Sequence, residues 1–259
     1  CGLGTVFLKK NLVSAIAILL YKWTFRFPKK VFFQNADDLN LFVSRKLVSP
    51  QTVDLIPGSG VDLQKFQPLK FKRNESFTFL LISRLISDKG ILEYIEAVKT
   101  LKSRGMNARF QLLGAKDPKH KRGIKEHVID QWVSDGIIEY LGTTDDVRKF
   151  IENADCIVLP SYREGAPRTL LEAASSAKPI IATDVPGCHH VVANQINGLL
   201  CKIKDADDLA EKMDTMANYS DERLMEFGAN GRKKMVAEYN EDVVIFKYLQ
   251  TLTSLKEAS

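Results

Sequence analysis

Two pairs of charged side chains stand where a parallel sheet would bind a ligand. Arg84 and Lys89 follow one apolar run that reads as a strand, while Glu164 and Glu172 follow another. Ligands of such sheets bind beyond the carboxyl ends of the strands, and helices that begin there favour anions. Two fixed cations can neutralise charge on a departing diphosphate without a metal. We therefore predict an anion site at Arg84 and Lys89, although solvated loop charges would look the same.

The two glutamates lie in the segment that follows the apolar run ending at Leu159. A proline suits the first turn of the helix that follows, which places Glu164 in the loop and Glu172 in the helix. An acidic side chain there can accept both hydroxyls of a ribose. The N–H groups of Thr169 and Leu170 would point toward an anion. The spacing of the glutamates is weak support by itself, and an exposed helix charge also explains Glu172.

A glycine-rich turn and a histidine pair are the remaining candidates. Gly58 and Ser59 lie in Pro57-Gly58-Ser59-Gly60, whose glycines would let the backbone approach a ligand, although a plain hinge explains them equally well. His189 and His190 suggest a metal, but adjacent helical positions point apart and no carboxylate cluster accompanies them. We predict no metal site. The acidic run at residues 205–208 is better explained as a helix cap.

The elements that must position these residues form an α/β pattern. From residue 77 onward, short apolar runs alternate with helical periodicity, which is typical of a parallel sheet with helices on both faces. A strand at Val31–Gln34, a helix at Asn35–Leu47 and a short strand ending at Ile56 precede this pattern, and three amphipathic helices follow Asp205. The predicted main strands are Phe77–Ser83, Ala108–Leu113, Ile137–Tyr140, Cys156–Leu159, Pro179–Thr183 and Gly198–Cys201.

These elements divide the chain into four predicted parts. Residues 1–57 read as the end of one domain, 58–75 as a linker, 76–240 as a Rossmann-like domain, and 241–259 as a helix that crosses back. The chain opens at Cys1 without a methionine, and we expect its first domain to be incomplete.

Composition narrows the class of partner. The net charge of +5 suits anions, but the basic runs are short and lack the interleaved aromatic residues of a nucleic-acid platform. The run Lys116–Arg122 indicates a solvated loop, with contact to lipid head groups as the alternative. The four cysteines have neither metal-ligand spacing nor the density of a disulfide scaffold, which indicates a reducing cytoplasm.

The apolar, aromatic segment Leu12–Phe27 is interrupted by Lys22 and Arg26 and is too short to span a bilayer. Two interpretations stay open for it. It is either a helix that docks on a membrane surface or a core helix of the incomplete domain.

Taken together, these motifs resemble glycosyltransferase family 4. The resemblance covers nearly everything from Val31 onward, in the family's order. The start of the chain, at Gly2-Leu3-Gly4, and Val31–Asn35 look like the acceptor domain of bacterial enzymes that build surface polysaccharides. The matching features are Pro57–Asp62, Arg84 with Lys89-Gly90, Glu164–Glu172 and Thr183–Gly187.

The resemblance implies a two-domain GT-B fold: a Rossmann-like donor domain with helices on both faces, plus part of an N-terminal acceptor domain. It implies a retaining transferase that moves a sugar from a nucleotide diphosphate sugar, commonly a UDP-sugar, to a lipid-linked or saccharide acceptor. No cofactor is expected. The enzyme would be cytoplasmic, or peripheral to the inner face of the plasma membrane.

The family's site residues carry over by motif position. Arg84 and Lys89 would bind the donor diphosphate and act in catalysis with Glu164, which would orient the sugar near its reactive centre. Glu172 would hold the ribose. The other predicted donor-binding residues are Gly58, Ser59, Gly165, Thr169 and Leu170.

Two alternatives stay open. One is a UDP-sugar epimerase of related fold, which would bind the same nucleotide without an acceptor. The other is a truncated module that binds a nucleotide without catalysis, because the family's glycine-rich N-terminal loop is absent from the sequence, which puts turnover by this chain in question.

Overall fold

A small lobe precedes the main sheet. The computed structural model describes residues 12–257, so Cys1 and Gly2–Gly4 lie outside the described residues. Phe42 is fully buried and packs in an aromatic cluster with Tyr21, Phe25 and Phe33. The elements of this lobe are α1 (Leu12–Thr24), β1 (Val31–Phe33), α2 (Ala36–Ser44) and β2 (Val53–Leu55), and the two strands pair in parallel.

The helix predicted at Asn35–Leu47 is shorter at both ends. Asn35 has an extended backbone, and its side-chain oxygen accepts the N–H of Asp38 at 2.8 Å, which makes it the N-cap rather than the first helical residue. The helix ends at Ser44, and Lys46 has a φ of 54°, a left-handed conformation that stops a helix. The cap therefore holds Asn35 and Asp38 at the end of α2 that faces the second lobe.

Six parallel strands form the sheet of the larger lobe, in the order β5-β4-β3-β6-β7-β8. This order is that of a doubly wound sheet, in which the chain starts in the middle and builds outward in both directions. The strands are β3 (Phe77–Ile82), β4 (Ala108–Leu113), β5 (Glu139–Tyr140), β6 (Cys156–Leu159), β7 (Ile180–Thr183) and β8 (Gly198–Cys201).

Helices cover both faces of this sheet, as the sequence predicts. Successive side chains of a strand point to opposite faces. In β3, Phe79 and Leu81 enter one apolar cluster and Leu80 and Ile82 the other, and all six residues of the strand are buried. The covering helices are α3 (Ile91–Ser103), α4 (Glu126–Ser134), α5 (Arg148–Asn153), α6 (Arg168–Ser175), α7 (Cys188–Val191), α8 (Ala206–Asn218) and α9 (Asp221–Glu238).

All six predicted main strands are confirmed, with one sizeable difference in length. The strand predicted at Ile137–Tyr140 begins only at Glu139. The N–H of Ile137 donates instead to the carbonyl of Trp132 at 2.8 Å, closing the turn after α4. The apolar run cannot reveal where the strand begins, because residues before β5 are also buried. Ile138, for example, is buried beside the sheet without belonging to the strand.

The linker, residues 58–75, packs on the larger lobe over much of its length. Val61 and Phe66 are buried in one of its two apolar clusters. The carbonyl of Phe66 accepts hydrogen bonds from Ser175 Oγ at 2.6 Å and from Arg232 at 2.7 Å. Much of this stretch is therefore anchored to the larger lobe.

Three helices close the chain, as predicted, the last being α10 (Glu241–Glu257). Asp205 caps α8 by accepting the N–H of Asp208 at 2.9 Å, which confirms the capping interpretation of that acidic run. No helix within residues 12–257 is both long and apolar enough to cross a bilayer.

Candidate functional site

A cleft of about 250 Å³ opens at the carboxyl ends of β3 and β6. The strand order reverses between these two strands, and ligands of doubly wound sheets bind at this switch point because the connections diverge there. Four of the predicted site residues come together in it. The cleft is lined by Arg84, Ile86, Asp88, Lys89, His120, Arg122, Ser161, Arg163, Glu164 and Gly165.

The two loops that form the walls of the cleft are bonded to each other. The carbonyl of Asp88 accepts the N–H of Tyr162 at 2.9 Å and Ser161 Oγ at 3.2 Å. Gly90 ends the short 3-10 turn Ser87–Lys89 with a φ of 71°, and a Cβ there would lie 2.0 Å from the carbonyl oxygen of Pro160. Only glycine allows the loops to approach this closely.

The charges of the predicted anion site differ in their partners. Lys89 forms an ion pair with Glu164, and both side chains are mostly buried. Arg84 is exposed and has no ion pair with any residue in 12–257. Arg84 is thus a cation that lines the cleft, and no carboxylate among the described residues neutralises its charge.

Two further basic residues of the cleft come from a loop predicted to be merely solvated. The N–H of Ser87 donates to the carbonyl of Arg122 at 2.8 Å, and Ile124 bonds back to Leu85 at 2.9 Å. These bonds fold the 116–124 loop over the cleft, so that His120 and Arg122 line it and Arg122 pairs with Asp88. Sequence reasoning missed both residues, because the bonds that place them are between backbone atoms.

Glu172 lies beside the cleft rather than in its lining. Its side chain is only 13% exposed, and it lies 3.4 Å from Arg168 across one turn of α6. Burial raises the pKa of the Glu172 carboxyl, and the nearby Arg168 and Lys65 offset this only in part. The interpretation of Glu172 as an exposed helix charge is wrong, because its side chain is largely buried. A buried carboxylate is costly without a compensating partner.

The start of α6 differs from expectation. The N–H of Leu170 donates to the carbonyl of Pro167 at 3.0 Å, so this amide already has an internal partner and is not turned toward a ligand. The hydroxyl of Thr169 donates to the carbonyl of Ile82 at 3.2 Å and ties the helix to the end of β3. Pro167 itself precedes the helix as its cap residue.

Gly58 packs against the loop between β6 and α6, residues 160–167, which we call the donor loop. Gly58 has a φ of 63°, and a Cβ there would lie 2.4 Å from Cβ of Ala166 in this loop. Ser59 Oγ bonds only locally, to the carbonyl of Gly60 at 3.3 Å, among the contacts of the described residues. Neither residue lines the cleft.

The donor loop also carries the contact between the lobes. Arg163 forms an ion pair with Asp38 of α2, and their side chains are 8% and 5% exposed. Asn35 Nδ2 donates to the carbonyl of Gly165 at 2.8 Å. Sequence reasoning missed this contact, because Asp38 lies in a polar first turn beside Asp37 and nothing in the sequence marks it as buried.

The histidine pair does not behave as predicted. Nε2 of His189 and Nε2 of His190 lie 2.9 and 2.7 Å from the same oxygen, Oδ2 of Asp37. The other ring nitrogen of His189 lies 2.8 Å from Asp184 Oδ1. The expectation that the two rings point apart is wrong, because α7 is a four-residue helix and the small lobe brings a carboxylate between them.

Comparison with known families identifies the larger lobe. Residues 64–234, which contain the whole six-stranded sheet and the cleft, match the profile described as "Glycosyl transferases group 1". The chain belongs to this family. The motifs that carry the cleft charges and Glu172 therefore lie within the family's shared region.

Three glycosyltransferases illustrate the similarity to curated relatives. The N,N'-diacetylbacillosaminyl-diphospho-undecaprenol alpha-1,3-N-acetylgalactosaminyltransferase of Campylobacter jejuni is 29% identical over 96% of this chain and 68% of its own. The UDP-Gal:alpha-D-GlcNAc-diphosphoundecaprenol alpha-1,3-galactosyltransferase of Escherichia coli is 28% identical over 86% and 60%. The capsular polysaccharide biosynthesis glycosyltransferase CapM of Staphylococcus aureus is 28% identical over 77% and 54%. The chain thus spans between about half and two thirds of these glycosyltransferases.

Solved structures share the fold. Sucrose-phosphate synthase from Thermosynechococcus elongatus superposes with a TM-score of 0.83 at 21% identity, covering 99% of this chain and 67% of the other. Anabaena Alr3699/HepE, solved in complex with UDP, superposes with a TM-score of 0.78 at 17% identity, covering 93% and 67%. The GT-B fold predicted from the sequence, with a Rossmann-like parallel sheet covered by helices on both faces, is confirmed.

Proposed function

We propose that this glycosyltransferase takes its sugar from a nucleotide diphosphate sugar, most readily a UDP-sugar, in the cleft between β3 and β6. The observation that carries the proposal is the charge of this cleft. Four permanent cations and two carboxylates line it, and Arg84 has no carboxylate partner among residues 12–257. A diphosphate supplies the missing negative charge, and charge-assisted hydrogen bonds to it are strong.

Four of the predicted residues have a role in this proposal. Arg84 and Lys89 bind the diphosphate and stabilise the charge that develops on it as the bond to the sugar breaks. Glu164, at the floor of the cleft, contacts the sugar and exchanges its pairing with Lys89 for contacts to the substrate. Glu172 accepts the ribose hydroxyls once the donor loop adjusts around the nucleoside. The cations take the place of a metal, and the anomeric configuration is retained.

The acceptor that we propose is a lipid-linked saccharide precursor of a surface polysaccharide. Two of the relatives are named for diphospho-undecaprenol-linked acceptors and one for capsular polysaccharide biosynthesis. All three are transferases by name, which favours transfer over epimerisation. The Escherichia coli relative is named for UDP-galactose, and HepE was solved with UDP, which supports a UDP-sugar donor.

A membrane surface is the place where such an acceptor would be met. On α1, Lys22 lies among exposed apolar side chains, and Arg26 follows the helix. An exposed apolar and aromatic helix face with basic residues at its end can bind anionic bilayers. We expect the chain to sediment with vesicles of anionic phospholipid but not with neutral vesicles. Failure to sediment with either kind of vesicle would assign this face to protein packing. The exposed apolar residues of α1 are Leu12, Ile16, Leu19, Leu20 and Trp23.

Calorimetric titration of the chain with UDP, ADP and GDP, with and without Mg²⁺, tests the donor site. We expect UDP to bind best, without Mg²⁺, and Arg84→Ala to weaken UDP at least about tenfold through loss of a charge-assisted contact. Arg104→Ala is the matched control, because Arg104 lies on the surface in an exposed ion pair with Glu211. A folded chain that binds none of the three nucleotides, or an Arg84→Ala variant that binds UDP normally, would refute the assignment.

A further inference from the structure

We propose that Asp37, His189 and His190 form a binding site for a divalent transition metal, of which Zn²⁺ is the most suitable, at the junction of the two lobes. Their three potential ligand atoms, one carboxylate oxygen and two imidazole nitrogens, all lie within 4.8 Å of one another. In a tetrahedral zinc site with bonds of about 2.0–2.2 Å, ligand atoms lie roughly 3.3–3.6 Å apart. Small side-chain rotations bring the cluster to that spacing.

The surroundings of the cluster resemble those of a ligated histidine. Histidines that bind zinc usually donate their other ring N–H to a carboxylate, which fixes the tautomer and orients the ring. His189 has such a partner, since its Nδ1 lies 2.8 Å from Asp184 Oδ1. Asp184 is itself held at the end of β7, where its N–H donates to the carbonyl of Cys201 at 2.8 Å.

The backbone on either side of the histidines is fixed as well. Tyr239 donates its hydroxyl to the carbonyl of His190 at 2.9 Å. Before the pair, Gly187 has a φ of 86°, and a Cβ there would lie 2.5 Å from the carbonyl oxygen of Glu164. The turn that presents both rings is thus packed on the donor loop and cannot easily move away.

The ligand set selects the class of metal. Two imidazoles with one carboxylate suit Zn²⁺, Co²⁺ or Ni²⁺, whereas Mg²⁺ and Ca²⁺ prefer oxygen ligands alone. The side chains of His189, His190 and Asp37 are 30%, 33% and 44% exposed, so an ion can reach them from solution. Water would complete the coordination.

The metal would join the two lobes. Asp37 lies in the first turn of α2 in the small lobe, while both histidines belong to α7 of the large lobe. The neighbouring residue Asp38 already pairs with Arg163 of the donor loop. An ion bound here therefore favours the docked arrangement of the lobes and acts next to the donor cleft without entering it.

Titration of the metal-free full chain with Co²⁺ tests this site by its visible absorption, and Zn²⁺ competition gives the zinc affinity. We expect one equivalent to bind. His189→Gln, His190→Gln and Asp37→Asn should each weaken it at least about tenfold, and Asp184→Asn about 10–100-fold. His127→Ala is the matched control, because His127 lies apart from the cluster on α4.

Two measurements make the result decisive. Circular dichroism of each metal-free variant shows that it is folded, and Zn²⁺ should raise the Tm of the parent chain but not of the two histidine variants. A folded parent chain without stoichiometric Co²⁺ binding, or histidine variants with parental affinity, would overturn the proposal. UDP titration after chelation by EDTA is independent of this site, so failure here is distinguishable from failure of the donor assignment.

Discussion

The donor cleft and the junction between the lobes are both built from charged side chains, but in opposite ways. In the cleft, Arg84 and Arg122 are exposed, and a ligand can approach them. At the junction, Arg163 and Asp38 are almost completely buried and pair with each other, although Arg163 also borders the cleft. Exposed charges contribute little to stability and remain available for binding, whereas a buried pair is sensitive to loss of either partner. Loss of Arg84 or Arg122 should therefore cost the fold little, whereas loss of Arg163 or Asp38 should cost it much.

The largest expected effect breaks the junction. Arg163→Met leaves Asp38 buried without its partner, and removal of one member of a buried pair typically costs about 3–5 kcal/mol. Urea unfolding followed by circular dichroism measures this cost. Arg163→Met combined with Asp38→Leu should recover much of it.

The control for the junction is Arg104→Ala, whose ion pair with Glu211 is exposed on both sides. This change should cost less than about 1 kcal/mol. If Arg163→Met were as mild as Arg104→Ala, the contrast between junction and surface charges would be wrong.

The next effect tests the close approach of the two cleft loops. Gly90→Ala places a methyl group against the carbonyl of Pro160 and forces alanine to a φ of 71°. Gly105→Ala imposes a similar positive φ of 80° with nothing within 4 Å, and it should cost only about 1–2 kcal/mol. We expect Gly90→Ala to cost at least about 2 kcal/mol more by the same urea assay. Equal costs would mean that the loops separate freely.

A smaller effect concerns binding alone. Arg122→Ala should weaken UDP about 3–10-fold in calorimetry, because Arg122 lines the cleft but shares its charge with Asp88. Lys121→Ala removes an exposed charge from the same loop without touching the cleft and should leave UDP affinity unchanged. Equal losses of UDP affinity in both variants would indicate that the loop acts through its overall positive charge rather than through a contact made by Arg122.

The smallest effect is a gain in stability. Burial raises the folded-state pKa of Glu172 above its unfolded value, so ionisation destabilises the fold at pH values above the folded pKa. Glu172→Gln should raise Tm at pH 8 by up to about 2–4 °C while UDP affinity falls, and this gain should shrink as the pH is lowered through the folded pKa. Glu96→Gln, an exposed glutamate paired with Lys99, should show neither effect.

The sequence was sufficient to locate the strands and the charged residues that follow them. Uninterrupted apolar runs located all six strands of the large sheet. The rule that ligands bind at strand ends singled out Arg84, Lys89 and Glu164. The order of the strands, which brings the ends of β3 and β6 side by side, comes from the structure.

The parts that were missed depend on contacts between distant segments. Arg122 reaches the cleft through backbone hydrogen bonds of a loop without regular structure, and no side-chain pattern encodes those bonds. His189 and His190 converge because Asp37, more than 150 positions earlier, is docked between them. The sequence of one lobe does not indicate where the other lobe docks on it. A single sequence therefore cannot predict residue pairs that form between the lobes.

The chain passes between the lobes twice, and the two passages lie side by side. The N–H of Val61 donates to the carbonyl of Tyr239 at 2.8 Å, and the N–H of Glu241 returns a bond to Val61 at 3.3 Å. Gly60 touches the backbone of Glu241 so closely that a Cβ there would lie 2.5 Å from its Cα. Because the two passages are bonded to each other at this point, a substitution at Gly60 would disturb the start of α10 as well as the linker.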